Sequence, residues 1–535
     1  MLMTLGIFGC ADGNTTDTET ESETESETEL KIEPQVDTID DNYRTFYQIF
    51  VGSFSDSNGD GFGDLRGIIN NFDYLNDGDV NSGKSLGVQG IWLSPIFSSP
   101  SYHKYDATNY YKVDQKFGTE DDLKELIALC HKRNVKLILD IAINHTSEQH
   151  SWFMNFKNAR ATGDTENKYY DYYIAVSDSE KVSGRTYQKL SGSSYYFECN
   201  FSGSMPELDF DNNEVREEAL NIAKYYLDLG IDGFRFDAVK YIYYGDTDKT
   251  VDFWNWYMSE LRKIKSDIYC VGECWSGDTE ILEYYSAMDC FGFGFAQQEG
   301  AIATAAKGVS RLTNYTSYVE SMQKRIQSKN PNGMIMSFLS NHDMDRIAGA
   351  FVTENHMRMA ANLNIFTPGS PYIYYGEELG MRGSRGSANT DANRRLAMLW
   401  GDEENEVKNP VGANYPEANQ IKTTVADQVN DENSLYNYYC KLIAIRNKHK
   451  AIGRGIYNSV GTSEKNLAGF LVDYQGEKLV IMHNTSTSEI SYDLSECTDL
   501  DGYTVKELCD FIGVGNAKLE GNILTIGAQT SVILK

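Results

Sequence analysis

Positive charge is scarce in this chain: 48 Lys and Arg stand against 78 Asp and Glu over 535 residues, a formal net charge of −30. So acidic a protein repels phosphate backbones and anionic headgroups, which excludes nucleic acid and an acidic membrane surface as partners. Cysteine is sparse as well, nine residues scattered without the paired spacing of a zinc site. Cys270 with Cys274, or Cys497 with Cys509, could bridge in an exported protein, although buried free thiols fit the same residues. Beyond that, no apolar run approaches the ~20 residues that span a bilayer. What the chain does have is ordinary hydrophobicity, 41%, and an unusual wealth of tyrosine, 36 residues. Its length leaves room for a large core and two or three domains.

Much of the acidity is local. Residues 11–33 hold nine Asp or Glu and one Lys, so −8 of the −30 sits in a low-complexity stretch beginning ADGNTTDTETESETESETEL. Like charges with almost nothing to bury make 11–42 a disordered tether. Ahead of it, residues 1–10 read MLMTLGIFGC. IFGC is similar to a bacterial lipobox, in which the cysteine, here Cys10, is lipidated after signal cleavage. It departs from that pattern in having no Lys or Arg before a short apolar stretch. With the acidic spacer behind it, Cys10 points to a lipid-anchored protein on the outside of a bacterial cell.

From Tyr43 onward, short apolar runs alternate with longer amphipathic ones. The runs are TFYQIFVGSF, VQGIWLSPI, VKLILDIAINH, IDGFRFDAV, IYCVGECW, MDCFGFGF, MIMSFLSNHD and SPYIYYGEE. Between them, segments such as 120–134 and 213–230 carry apolar residues at helical spacing. Eight strand–helix repeats predict a parallel (β/α)₈ barrel, over 43–145 and 206–449. Its third connection is far too long, which predicts an inserted small domain over 146–205. Residues 450–535 alternate with period two and are punctuated by turns, predicting an antiparallel β domain.

One run poses a problem of its own. GFRFDAVK, residues 233–240, places Arg235 and Asp237 on one face of a strand expected to be buried. Alone, the pair fits a structural ion pair as well as a catalytic carboxylate with a guanidinium beside it. In a barrel the strand ends carry the site. Asp140, Asn144, His145, Glu273, Asn341, His342 and Asp343 fall at the ends of other strands. Several carboxylates converging on one rim repel one another, a cost that only a working site justifies.

Taken together, DIAINH, GFRFDAVK, GECW and FLSNHD resemble the four main motifs of the α-amylase family, glycoside hydrolase family 13, in order. MPELDF (205–210) is similar to its fifth, with Glu207 and Asp209 replacing the more usual Asp and Asn. The resemblance makes Asp237 the nucleophile, Glu273 the general acid/base and Asp343 the carboxylate that stabilises the transition state. It implies that Tyr105, Asp106, His145, Arg235, Lys240 and His342 bind the sugar. A retaining glycosidase needs that division of labour, one ionised carboxylate and one protonated carboxyl. Crowding by Asp237 and Asp343 should raise Glu273 toward an acid useful near neutrality.

Within the family, Ala238 after the nucleophile is similar to α-1,4-acting enzymes, whereas isomaltose-type α-1,6 enzymes tend to carry Val. The inserted-domain start resembles the oligo-1,6-glucosidase group and MPELDF the neopullulanase-like one. The resemblance therefore implies an α-amylase of an intermediate branch, acting as a monomer on starch and maltooligosaccharides outside the cell. An exo-acting α-glucosidase or a glucanotransferase would share every catalytic residue; a non-catalytic barrel would usually have lost a carboxylate of the triad. DSNGDGFGDL (56–65) sets Asp56, Asn58, Asp60 and Asp64 at the spacing that opens an EF-hand-like loop, with Gly67 where its last Glu would stand. It is similar to a loop that holds Ca²⁺ in some family members, where the carbonyl at Phe62 also ligates; a metal-free Asx-rich turn is the alternative. A second calcium site of α-amylases would use Asn144 and a His carbonyl, but that His is Tyr241 here.

Overall fold

The computed structural model describes residues 41–79, 81–500 and 502–535. Cys10 and nearly all of the acidic segment lie outside the described residues. Seven parallel strands form one sheet: Phe46–Ile49, Gly90–Leu93, Lys136–Ile141, Gly233–Phe236, Tyr269–Gly272, Asp289–Cys290 and Tyr372–Tyr374. The last pairs with the first, Phe46 opposite Tyr372. Residues 336–338 fill the gap between the sixth strand and the last through parallel bridges Phe291–Met336 and Phe338–Tyr372, closing an eight-membered barrel. The strands are shorter than their apolar runs, because the carboxyl-terminal half of most runs has left the sheet for the loops above it.

Barrel closure follows from the side chains. Phe46, Trp92, Ile138, Tyr269, Val271, Phe291, Met336, Phe338 and Tyr372 form a cluster of their own. In it Phe46 stacks between Tyr269 and Tyr372, with ring centroids 4.7 and 4.9 Å apart. Alternate residues of the same strands, such as Tyr47, Ile91, Leu137, Phe234 and Cys270, join the larger core under the helices. Those helices carry their own boundaries. Thr119 and Asp122 make a capping box before Glu120–Lys132. Asn212 caps Asn213–Leu229, which ends at Gly230 with φ 109°, a conformation glycine adopts at little cost.

After the third strand the chain leaves the barrel for a helix, Ser151–Thr162, and a small antiparallel sheet of Ala175–Val176, Tyr196–Glu198 and Tyr187–Lys189. It returns through an antiparallel bridge between His145 and Glu207. Past the helices Leu435–Lys448 and Lys450–Arg454, a five-stranded antiparallel sheet lies beside a three-stranded one. Alternation explains how they pack: Val480 and Met482 belong to a core with Leu524 and Ile526 of the small sheet. Leu479 and Ile481 point the other way, into the core shared with the barrel.

Candidate active site

The site is built on one guanidinium. Arg235, fully buried on the fourth strand, donates from Nη1 to Asp140 Oδ1 at 2.7 Å and to Asp237 Oδ1 at 2.5 Å. Its Nη2 lies 3.4 Å from Glu273 Oε2. Pleating explains the set: Asp140 is opposite Arg235 in the register of strands three and four, and Asp237 follows two residues on along the same face. Asp140 is further held by Trp92 Nε1 at 3.1 Å and the Tyr105 hydroxyl at 2.7 Å. Burial pushes the Asp140 carboxyl up to about 6, against the pull of Arg235.

Directly after Asp237 the chain turns sharply. Ala238 adopts φ 48°, ψ 45°, a left-handed conformation that a side chain resists and that clusters at working sites. The turn aims the Ala238 N–H at Glu273 Oε2, 2.9 Å away. Burial, reinforced by the charges of Asp237 and Asp343, pushes the Glu273 carboxyl up to about 8, although Arg235 and this N–H pull it down. Asp343 is the opposite case. Burial would raise it, but His342 Nε2 at 2.9 Å and Arg395 Nη2 at 2.6 Å hold it well below the usual carboxylate range. One carboxyl is kept protonated near neutrality and another is kept ionised.

His342 is wedged between neighbours: Nδ1 lies 2.7 Å from Gln48 Nε2, and Nε2 lies 2.6 Å from the Tyr105 hydroxyl. His145 meets the Tyr105 carbonyl through Nε2 at 3.2 Å, while its Nδ1 is buried without a partner; burial lowers its pKa. Asp106 accepts hydrogen bonds from the hydroxyls of Ser99, at 2.7 Å, and Ser101. Lys240 donates from Nζ to the Trp275 carbonyl at 2.8 Å, tying the loops after strands four and five. All nine residues expected to react with or bind sugar therefore meet on one face of the barrel. Arg235, His145 and His342 form its buried floor with Glu273 and Asp106 nearly as buried, while Tyr105 and Lys240 are partly exposed and Asp343 is the most open of the three catalytic carboxylates at 29% of its side chain.

Two further residues of the site are not among the expected site residues, although one of them, Trp275, closes the GECW motif. Arg395, from the long loop after the last strand, donates to Asp343 and, through Nε, to the His342 carbonyl at 3.0 Å. Trp275 is 44% exposed and stacks on Phe293 with centroids 5.3 Å apart.

The match to known proteins agrees with this geometry. The family model for the α-amylase catalytic domain matches residues 48–455. The chain belongs to the α-amylase family. It is a glycoside hydrolase of that family, 34% identical to "Alpha-amylase 3" of Dictyoglomus thermophilum over 88% of this chain and 89% of the relative. It is 28% identical to "Oligo-1,6-glucosidase" of Bacillus cereus, over 88% and 95% of the two chains. Among solved structures, "Eubacterium rectale Amy13B" superposes with a TM-score of 0.85 and 35% identity, covering 94% of this chain and 96% of the other.

The acidic loop after the first strand stands apart from this site. Asp56 accepts the amides of Asn58, at 2.9 Å, and Gly59, at 2.8 Å; Asp60 accepts that of Phe62, at 2.8 Å. Asp64 caps the helix Leu65–Asn70 by accepting Gly67 N–H at 2.7 Å. Asp56 and Asp64 are both buried, and neither has a Lys, Arg or His ion-pair partner among the described residues. Burial raises the Asp64 carboxyl and the Asp56 charge adds to the effect. Carboxylate, amide and carbonyl oxygens with unpaired charge are a donor set that fits a hard cation. Among the described residues no group of three or more His, Cys, Asp or Glu side chains gathers around one metal position, so backbone, amide and water oxygens would have to complete the shell. Near the expected second calcium position, Asn144 Nδ2 donates to Glu207 at 3.2 Å, and Arg185 supplies a positive charge to Glu198 at 3.1 Å. All eight described cysteines are free, seven of them buried, so neither possible pair is bridged.

Proposed function

We propose that the protein is an α-amylase that hydrolyses α-1,4-glucosidic bonds of starch and maltooligosaccharides by a retaining double displacement. The observation that carries the chemistry is the split between Glu273, held protonated, and Asp343, held ionised, around Asp237. In the first step Asp237 attacks the anomeric carbon while Glu273 gives its proton to the departing oxygen, so the C–O bond breaks and a glycosyl ester forms. The Asp343 carboxylate faces the positive charge that builds on the sugar ring. Once Asp237 is esterified, its charge no longer raises Glu273, which then ionises more easily. Glu273 takes a proton from water, the oxygen attacks the same carbon, and Asp237 leaves as carboxylate.

The α-1,4 preference rests on Ala238 after the nucleophile and on 34% identity to an enzyme named α-amylase against 28% to one named oligo-1,6-glucosidase. The same proposal places the enzyme as a monomer outside a bacterial cell, anchored by lipid on Cys10, with Ca²⁺ in the loop formed by Asp56, Asn58, Asp60, Asp64 and the Phe62 carbonyl. That ion would brace the loop and takes no part in the chemistry. Among the described residues no helix is long and apolar enough to cross a membrane. Likeness to the oligo-1,6-glucosidase over 88% of the chain supports a second reading, an exo-acting glucosidase or glucanotransferase on the same site.

Product analysis on amylose, pullulan and isomaltose decides between them. An α-amylase releases a range of maltooligosaccharides from amylose, first formed as α-anomers, and leaves isomaltose uncut. Faster cleavage of isomaltose than of amylose, or β-anomers by NMR, would overturn the proposal.

A further inference from the structure

In TFYQIFVGSF one side-chain amide interrupts the apolar pattern, that of Gln48, and it is 1% exposed. On the first strand Phe46 faces the barrel interior, while Tyr47 and Ile49 face the helices. Alternation therefore turns Gln48 inward, one step above the Phe46 ring toward the catalytic face. A primary amide buried there is costly unless it is hydrogen-bonded. Its Nε2 lies 2.7 Å from Nδ1 of His342, itself fully buried. Rigid backbone sets this reach: Gln48 is opposite Trp92 and Tyr374 in the sheet, and its carbonyl accepts the Tyr375 N–H at 3.0 Å.

Packing fixes the imidazole from several sides. Tyr105 stacks on it with centroids 5.4 Å and planes 7° apart, Trp92 meets it edge-on at 5.9 Å, and Phe50 lies at 6.3 Å. What packing leaves open is which ring nitrogen carries the proton. Nε2 faces two acceptors. One is Asp343 Oδ2 at 2.9 Å, a carboxylate already paired with Arg395. The other is the Tyr105 oxygen at 2.6 Å, whose own proton goes to Asp140 Oδ2. Nε2 therefore carries a proton, and in a neutral imidazole Nδ1 is then a bare acceptor. The amide N–H of Gln48 is the donor that this acceptor needs. The carbonyl end of the amide in its place would call for a second ring proton. With the single proton on Nδ1 instead, the Nε2 lone pair would face the Asp343 carboxylate and repel it.

We propose that Gln48 is a positioning residue for the reaction: its amide keeps the His342 proton on Nε2, where that proton holds the Asp343 carboxylate in place for the transition state. The partner of one ring nitrogen decides in this way what the other can do. Gln48 lies behind His342 and acts only through it. The inference rests on the reading of Asp343 as the carboxylate that stabilises the transition state.

The test begins with the full wild-type chain labelled with ¹⁵N-histidine, His342→Asn identifying the signal. Two-bond ¹H–¹⁵N correlations should show the proton on Nε2 and a bare Nδ1; a proton on Nδ1 overturns the proposal. Gln48→Met fills a similar volume without a donor. Its kcat and kcat/KM on maltoheptaose should fall together, roughly ten- to a hundredfold, the effect of an unmet buried acceptor, with KM within about twofold of wild type. Gln48→Glu has the shape of the amide but only accepts, so it should draw a proton onto Nδ1 in the spectrum; an unchanged spectrum overturns the proposal. A kcat within about twofold of wild type in folded Gln48→Met would reduce Gln48 to packing. Should Gln48→Met fail to fold, the wild-type spectrum and Gln48→Glu carry the test. Wild-type kcat in Asp343→Asn would instead overturn the reading of Asp343 and leave the tautomer result standing.

Discussion

Replacing Arg235 by methionine keeps an unbranched stem, shorter than arginine's, and removes the charge on which the site is built. Three acidic groups lose their shared partner: Asp140 at 2.7 Å, Asp237 at 2.5 Å and Glu273 at 3.4 Å. Breaking a buried ion pair from one side typically costs about 3–5 kcal/mol, because the remaining charge is left without compensation. Asp140 keeps its bonds from Trp92 and Tyr105, which places Arg235→Met near the lower end, at roughly 3 kcal/mol. In a chain of this size that is a fall in Tm of roughly 3–6 °C. Its pH dependence separates lost charge from lost packing. In the folded protein Asp140 lies at about 6, above its ordinary value. A carboxyl raised on folding favours the native state at low pH and loses that contribution as pH rises through the folded value. Without Arg235 to pull it down, Asp140 rises further, so the variant pays for an ionised Asp140 at pH 8 but holds it protonated at pH 5. Calorimetry at the two pH values should therefore show a wide gap from wild type at pH 8 and a narrow one at pH 5. A gap of equal size at both would mean that Arg235 works by packing, and a variant melting within a degree of wild type at pH 8 would refute the electrostatic account.

Other expectations follow from the same geometry. Glu273→Gln should lose far more activity on starch than on an aryl glycoside with a good leaving group, since only the former needs the proton; equal losses would remove Glu273 as the acid. In wild type, kcat/KM should decline above a pH of about 8, where Glu273 gives up its proton, dropping about tenfold per pH unit. A profile flat to pH 10 would count against that assignment. Calcium should raise the Tm by mass action and a chelator should lower it. Asp60→Ala should abolish this response and leave low-temperature activity nearly intact; a mutant that melts like wild type in calcium and in chelator would reduce the loop to a turn.

The barrel was legible because each of its strands is an apolar run, and because glycines and capping residues mark where helices stop and start. The carboxylates were legible for a narrower reason: each lies within a few residues of such a run, so strand ends alone gather them. Arg395 escaped because it belongs to a loop with no periodicity, and it meets Asp343 only through the closure of the barrel. Trp275 reads as one more apolar residue; only its exposure and its stacking on Phe293 distinguish it. Strand lengths were overestimated where an apolar run continues past the sheet, as at TFYQIFVGSF, where only Phe46–Ile49 is strand. Hydrophobicity marks what is buried, and the loops that carry this site are buried too.

The position of one proton explains why the site tolerates so much acid. Four acidic groups, Asp140, Asp237, Glu273 and Asp343, share two guanidiniums, Arg235 and Arg395. Histidines apart, full ionisation would leave two negative charges uncompensated in a poorly solvated space, a cost that burial makes steep. The least expensive remedy is to protonate the group with the weakest claim on a cation. That group is Glu273, which approaches Arg235 only at 3.4 Å and receives one backbone N–H, whereas Asp343 has Arg395 at 2.6 Å. One negative charge then remains, and it is matched when positive charge develops at the anomeric carbon. The resting site is thus charged in the sense that the transition state neutralises. On this account the general acid owes its proton to its place in the competition for two arginines as much as to its burial.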